Sequence, residues 1–407
     1  MRKVLCSSPI GSAFILLSVF SLIVFAAGCS GGDSGGDKIV TGLPPGGSGT
    51  GTGTGTGGGG GGNTSTGGWA DGAVLLLAHT SVFSGLSGEF AQFKSDLEYE
   101  GYTLITHEFT SGNHRDVRNL LKSNYDSAGN LAGVVLVGQI PYAKAVCNWT
   151  GASEPGRCDY YYMDLDGEWI DANGDGVFEK HAPGTGDRDP EIWCGRLYAK
   201  GLTVFGKSEL QHYREYFERN HQYRTGMLER NYKAAYLTAN PISVVPDIEV
   251  GNLSLLYPDT TLVVNAAYKM KSEISRDYEW IHAIAHGSPF EWEGVTVYDI
   301  ASINPRTRFW NMHSCSTAKF TTSNAISVAC LFNDHGLIVV AGTTYMCYEP
   351  QWDSTYTGSL QTETFGESYK AMMQWIHDNW GGQEDQIEWS GQEIIMMGDP
   401  TLKVYYD

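Results

Sequence analysis

The residues WIHAIAHGSPF at 280–290, followed after an intervening loop by RFWNMHSCSTAKF at 308–320, decide how this chain is read. Two short apolar runs, Trp280 to Ala285 and Phe309 to Met312, have strand length and composition, and each ends abruptly in small and polar residues. A buried parallel sheet presents chemistry in this way. In open α/β sheets the ligand crevice lies beyond the carboxyl ends of the strands, so His286 with Gly287 is expected to face Ser314 with Cys315. A thiol and an imidazole at such strand tips are the minimum for nucleophilic catalysis by cysteine: the imidazole takes the thiol proton, and the thiolate attacks a carbonyl carbon. Gly287 leaves its backbone N–H open to an oxyanion, so the expected oxyanion donors are the backbone N–H groups of Gly287 and Cys315.

His282 and His313 complicate this picture. Residues 282, 284 and 286 share one face of a strand, as do 313 and 315, which makes four potential zinc ligands. Against a zinc site, HAIAH lacks the Glu of the helical metalloprotease motif and its region favours strand over helix.

Outward from this core, the pattern is of alternating strands and helices. Strands are expected at Ala73–Ala78, Thr103–Phe109, Gly133–Val137 and Glu191–Ala199, with helices at Phe90–Tyr99, Arg115–Tyr125 and Lys207–Tyr223. Strand, helix, strand at this spacing means parallel pairing with right-handed crossovers. A second set of strands follows at Tyr232–Thr238, Thr261–Asn265, Trp280–Ala285, Phe309–Met312 and Gly336–Ala341, with helices at Ala325–Phe332 and Glu363–Trp380 and a last strand at Leu402–Tyr406. The expected class is therefore α/β, with two adjacent subdomains, 69–225 and 226–407, whose largely parallel sheets are flanked by helices.

The first 68 residues read differently. Arg2 and Lys3 precede an apolar run, Phe14 to Ala27, that ends AAGC at Cys29. This is the pattern of a secretory signal, residues 1–28, with a lipid-accepting cysteine, rather than of a retained membrane helix. Several acyl chains on Cys29 make a stable anchor where one binds only marginally. Ser30 rather than Asp follows, which points to the outer membrane or surface of a Gram-negative cell. The rest of the segment 29–68 is a flexible Gly/Thr/Ser-rich tether with a reach of roughly 35 Å.

Charge narrows the partners. With 27 Lys plus Arg against 46 Asp plus Glu, the net charge is -19, which excludes nucleic acid as an expected partner and suits an exported protein or cation binding. Of the 8 cysteines, Cys6 leaves with the signal and Cys29 carries lipid. Cys147 and Cys158, in one Gly/Pro-containing loop, are the expected disulfide in an oxidising compartment.

A strand ending in His-Gly followed by one ending in Ser-Cys resembles the caspase-like cysteine peptidases, and SCSTAKF at Ser314 is similar to the gingipain branch of that clan. The resemblance continues in LVGQIPY at Leu136, CDYYYMDLDGEW at Cys158, PEIWCGRL at Pro190, AHGS at Ala285, VVAGTTY at Val339 and MGDPTL at Met397. It implies a caspase-like second half that hydrolyses peptide or protein substrates through a Cys315/His286 dyad. It also implies that Asp159 lies at the base of a pocket for Arg or Lys, with Thr343, Thr344 and Tyr345 as a further wall. A buried carboxylate facing a guanidinium would discriminate strongly; the competing reading of Asp159 is a local cap or ion-pair partner. The link Tyr223–Gly226 joins the two halves and contains Arg224, which marks it as a point for self-cleavage.

Asp171, Asn173 and Asp175 with Gly176 resemble the first half of a calcium loop, to which the Val177 carbonyl and Glu179 would add ligands. The twelfth position, Ala182, lacks the usual bidentate Glu, so Asp164, Asp166 or Asp187 would have to complete the set. Such calcium would be structural, with no cofactor needed for catalysis. The competing reading is a calcium-stabilised surface lipoprotein that binds a partner without catalysis.

Overall fold

In the computed structural model, the chain is described at residues 72–146, 155–239, 252–344, 353–380 and 394–406. Residues 66–407 form one compact unit. Among the described residues, a sheet of 10 strands lies at its centre: β1 Ala73–His79, β2 Thr103–Phe109, β3 Leu131–Val137, β4 Trp193–Leu197, β5 Lys233–Thr238, β6 Asp259–Val264, β7 Trp280–Ile284, β8 Phe309–His313, β9 Ile338–Gly342 and β10 Ile394–Gly398. Their order across the sheet is β6-β5-β7-β8-β9-β10-β4-β3-β1-β2. Neighbours within β2-β1-β3-β4 and within β6-β5-β7-β8-β9 pair in parallel. Only β10 runs antiparallel to its neighbour β9, and it joins the two sets through a bridge from Met397 to Arg196.

The apolar runs follow from burial on both faces. In β7, Trp280 packs into one core layer and Ile281 and Ala283 into the other. In β8, Phe309 and Trp310 divide in the same way. A strand covered by helices on both sides has no face to leave polar, so it loses the period-two alternation of a half-exposed strand. Each fully buried Leu or Phe contributes about 1.5–3 kcal/mol.

Five helices supply most of the cover: α1 Ser87–Tyr99, α2 His114–Ala128, α3 Glu209–Arg224, α4 Ile326–Phe332 and α5 Phe365–Trp380. Their ends carry their own signals. Asn113 and Asp116 form a capping box at the start of α2, and Gly129 closes it in the left-handed conformation, as helix ends favour. Ser208 caps α3 by accepting the Gln211 N–H. Among the described residues, no helix is long and apolar enough to cross a membrane.

Most expected elements are present within one to three residues of their bounds, but the end of the chain differs. The last strand is β10 at Ile394–Gly398 and not Leu402–Tyr406, a stretch that carries no strand. The chain turns instead at Asp399, whose carboxylate accepts the N–H and hydroxyl of Thr401, while Pro400 removes an amide donor from the ladder. Leu402 and Val404 are buried as packing residues.

The link at Tyr223–Gly226 also differs from expectation. Tyr223 and Arg224 form the last turn of α3 and are buried. The Arg224 guanidinium pairs with Glu100 and Asp399 and also bonds Thr401, so this arginine serves as an internal clamp rather than an exposed cleavage point.

Candidate active site

β7 and β8 lie side by side in register, with Ile284 opposite His313. Their following loops therefore emerge together. The Ala285 N–H donates to the His313 carbonyl at 3.2 Å, and the Ser314 hydroxyl donates to the Ala285 carbonyl at 2.6 Å. A Cβ placed on Gly287 would sit 2.5 Å from Ser314 Oγ and 3.0 Å from the Cys315 carbonyl oxygen, closer than side chains approach one another. Glycine at 287 thus allows the loop bearing His286 to lie directly against the loop bearing Cys315. His286 is exposed and Cys315 half-buried.

Beyond Gly287 the chain forms a small three-stranded meander of Gly287–Ser288, Glu291–Trp292 and Val295–Thr296. Gly287 opposes Trp292, and the Glu293 N–H donates to the His286 carbonyl at 2.9 Å. That bond pattern makes Gly287 and Trp292 a non-hydrogen-bonded pair, so the Gly287 N–H points away from its hairpin partner. The Glu293 carboxylate in turn accepts the His286 N–H at 2.8 Å. Sequence reading missed Glu293; the local turn signal there is Gly294 between two short extended runs.

On the other side, the loop after β8 is tied to the end of β9. Ser316, at φ 56°, donates its N–H to the Thr344 carbonyl at 2.7 Å, and Ala318 donates to the Gly342 carbonyl at 2.8 Å. Thr343 and Thr344 are buried, and the Thr343 hydroxyl donates to the Arg157 carbonyl. These two threonines therefore border the Cys315 loop, whereas Tyr345 lies outside the described residues. So do Cys29 and Cys147, and with Cys147 the expected pairing to the buried Cys158.

Asp159 has a different environment from the one the resemblance implies. It is 2% exposed, and both carboxylate oxygens are engaged by Arg196, through Nε at 2.8 Å and Nη2 at 2.7 Å. Arg196 also donates to the Ile140 carbonyl and lies 4.9 Å from the centre of the Phe320 ring. Asp159 is thus the local ion-pair partner, and the guanidinium it meets comes from within the chain.

The zinc alternative finds no cluster. Among the described residues, no group of potential metal ligands includes His282, His286, His313 or Cys315. His282 is buried against the Tyr236 ring at 4.8 Å, and burial lowers its pKa to about 3.

In the Asp171 loop, by contrast, single ligand atoms of Asp171, Asp175 and Glu179 lie within 4.8 Å of one another. Asp171 accepts the N–H groups of Gly174, Asp175 and Gly176, and the Asn173 amide donates to Asp175 and Glu179. The Val177 N–H donates to Asp175. The oxygen donor set suits a hard cation such as calcium. The expected outside ligands are elsewhere. Asp164 bonds His181, Asp166 accepts the Asp187 N–H, and Asp164 and Asp166 group with Glu191 instead of Asp171. Burial there pushes the Glu191 pKa up to about 7.

A search of curated proteins returns no significant match. Among solved structures, the Arg-specific cysteine proteinase gingipain R aligns over 82% of this chain and 78% of its own, with a TM-score of 0.57 at 14% identity, a likeness of fold. A sugar-binding protein of a sugar ABC transporter from Bacillus halodurans aligns over 82% of this chain and 100% of its own at 11% identity, but its TM-score of 0.21 carries no argument. The sequence profile described as Peptidase family C25 matches residues 72–405. By that span, the chain belongs to Peptidase family C25, the gingipain family of cysteine peptidases.

Proposed function

We propose that the chain is an endopeptidase in which Cys315 is the nucleophile and His286 the general base and acid. The observation that carries this reading is the joining of the two strand-end loops, with Ser314 bonded to the Ala285 carbonyl and Gly287 against Cys315. The Cys315 thiolate attacks the carbonyl carbon of the scissile bond, and the resulting oxyanion is received by the N–H groups of Gly287 and Cys315. Collapse breaks the C–N bond as His286 protonates the leaving amine, leaving a thioester on Cys315. Water, deprotonated by His286, then attacks the thioester, releasing the acid product and restoring the thiol.

A preference for Arg or Lys through Asp159 is not part of this reading, because Arg196 already engages that carboxylate. The peptidase is exported and held at the outer membrane by lipid on Cys29. Calcium at Asp171, Asp175 and Glu179, with Asn173 and Val177 beside them, would rigidify the loop away from the chemistry.

The test is hydrolysis by residues 69–407 of fluorogenic peptides ending in Arg, Lys, Asp, Asn or an apolar residue, in reductant and calcium, with Cys315→Ala alongside. Turnover that vanishes in the variant is expected. Equal turnover by both forms would sink the assignment.

A further inference from the structure

We infer that Glu293 is a positioning residue for His286, holding the backbone that carries the imidazole against the Cys315 loop; the inference rests on the dyad reading above. The residue sits at a place in the turn that its side chain makes costly. Glu293 and Gly294 form the two-residue turn between Glu291–Trp292 and Val295–Thr296, with φ of 47° and 79°. Two successive positive φ values define the hairpin turn that favours Asn-Gly or Asp-Gly. A Glu has no local reason to occupy its first position, and an unusual backbone conformation at a site points to a constraint imposed from elsewhere.

That constraint is visible in the bonds of Glu293. Its carboxylate accepts the His286 N–H at 2.8 Å, and its own N–H donates to the His286 carbonyl at 2.9 Å. Both backbone polar groups of His286 are therefore held by one residue. The preceding peptide is held from the other side, through the Ala285 N–H to His313 and the Ala285 carbonyl to the Ser314 hydroxyl. Trp292, fully buried with its ring 5.9 Å from that of Trp310, fixes the base of the turn to β8, the strand that leads into the Cys315 loop. A shorter side chain at 293 would keep the turn and lose the grip on His286.

The substitutions separate turn from grip. E293N supplies the residue the turn prefers but cannot span to the His286 N–H, whereas E293Q keeps the length and an acceptor oxygen. E293N is expected to keep its melting temperature within about 2 °C and its KM within about 2-fold, while kcat falls about 10- to 100-fold, as small misplacements of a catalytic group produce. E293Q is expected to recover kcat to within about 3-fold of wild type. Alkylation of Cys315 by iodoacetamide, which reads imidazole-assisted thiolate without substrate, should slow in E293N and recover in E293Q.

Wild-type kcat in E293N, with His286→Ala inactive, overturns the positioning role and leaves the dyad standing. Equal losses in E293N and E293Q overturn the role as a hydrogen-bond acceptor. Full activity in His286→Ala overturns the dyad and with it the inference. A large fall in the melting temperature of E293N that E293Q shares assigns Glu293 to folding alone.

Discussion

The loop that follows β8 carries Cys315 and, at Phe320, lies against Arg196; the junction of His286 with Cys315 and the pair Asp159–Arg196 are held in opposite ways. At the junction, the fixing hydrogen bonds run through backbone groups, the Ser314 hydroxyl and the Glu293 carboxylate, and His286 stands exposed. At the pair, the side chains fix each other: the Asp159 carboxylate and the Arg196 guanidinium are bidentate, with side-chain exposures of 2% and 0%. A reactive side chain can move protons only when something else carries the structure. An ionic pair that carries structure is withdrawn from chemistry by doing so.

The strongest way to break this contrast is to remove the side chains. Cys315→Ala and His286→Ala should each lower peptide turnover by at least about 1,000-fold while changing urea-unfolding stability by less than about 1 kcal/mol. Arg196→Met should do the reverse. Stranding a buried carboxylate costs about 3–5 kcal/mol, and adding Asp159→Leu should recover much of it. A single variant with unaltered unfolding would show that the pair carries no structure.

His282 probes the ground between these regimes, being buried like the pair but on the strand that leads to His286. Its pKa is lowered from 6.5 to about 3, first by burial and then by His313. The folded state therefore binds fewer protons than the unfolded one as pH falls from 6.5 towards 3. This contribution to stability is present above pH 6.5 and is lost below it, at about 1.4 kcal/mol per pH unit. Unfolding of His282→Gln between pH 7 and pH 5 should show a shallower slope than wild type, and parallel slopes would remove His282 from the acid limb.

The smallest effect is expected at the Asp171 loop, where Asp175 is exposed and Glu179 half-buried. Chelation by EDTA should lower the melting temperature by about 2–4 °C. The difference should disappear in Asp171→Asn, and an unchanged wild-type melting curve would exclude the cation.

What was legible in the sequence follows the range of the interactions. β7 and β8 could be read because burial on both faces writes an unbroken apolar run, and their ends could be read because small and polar residues stop it. β10 was missed although Ile394–Met397 is equally apolar, because Leu402 and Val404 imitate a strand while packing from a turn. The partner of Asp159 lies 37 residues away, and nothing local distinguishes a carboxylate awaiting substrate from one already matched. Glu293 was hidden for a related reason: its value depends on a hairpin that brings it back beside His286.

The place of β10 has a kinetic consequence. It is the last strand of the sheet in sequence yet lies between β9 and β4, so the two parallel sets cannot be zipped together until residues 394–398 arrive. Until then β9 and β4 expose unpaired edges to water, and the bridge that closes the second edge reaches from Met397 back to Arg196, a long sequence separation that slows closure. Pairing of β10 is thus the step that unites the two parallel sets into one sheet.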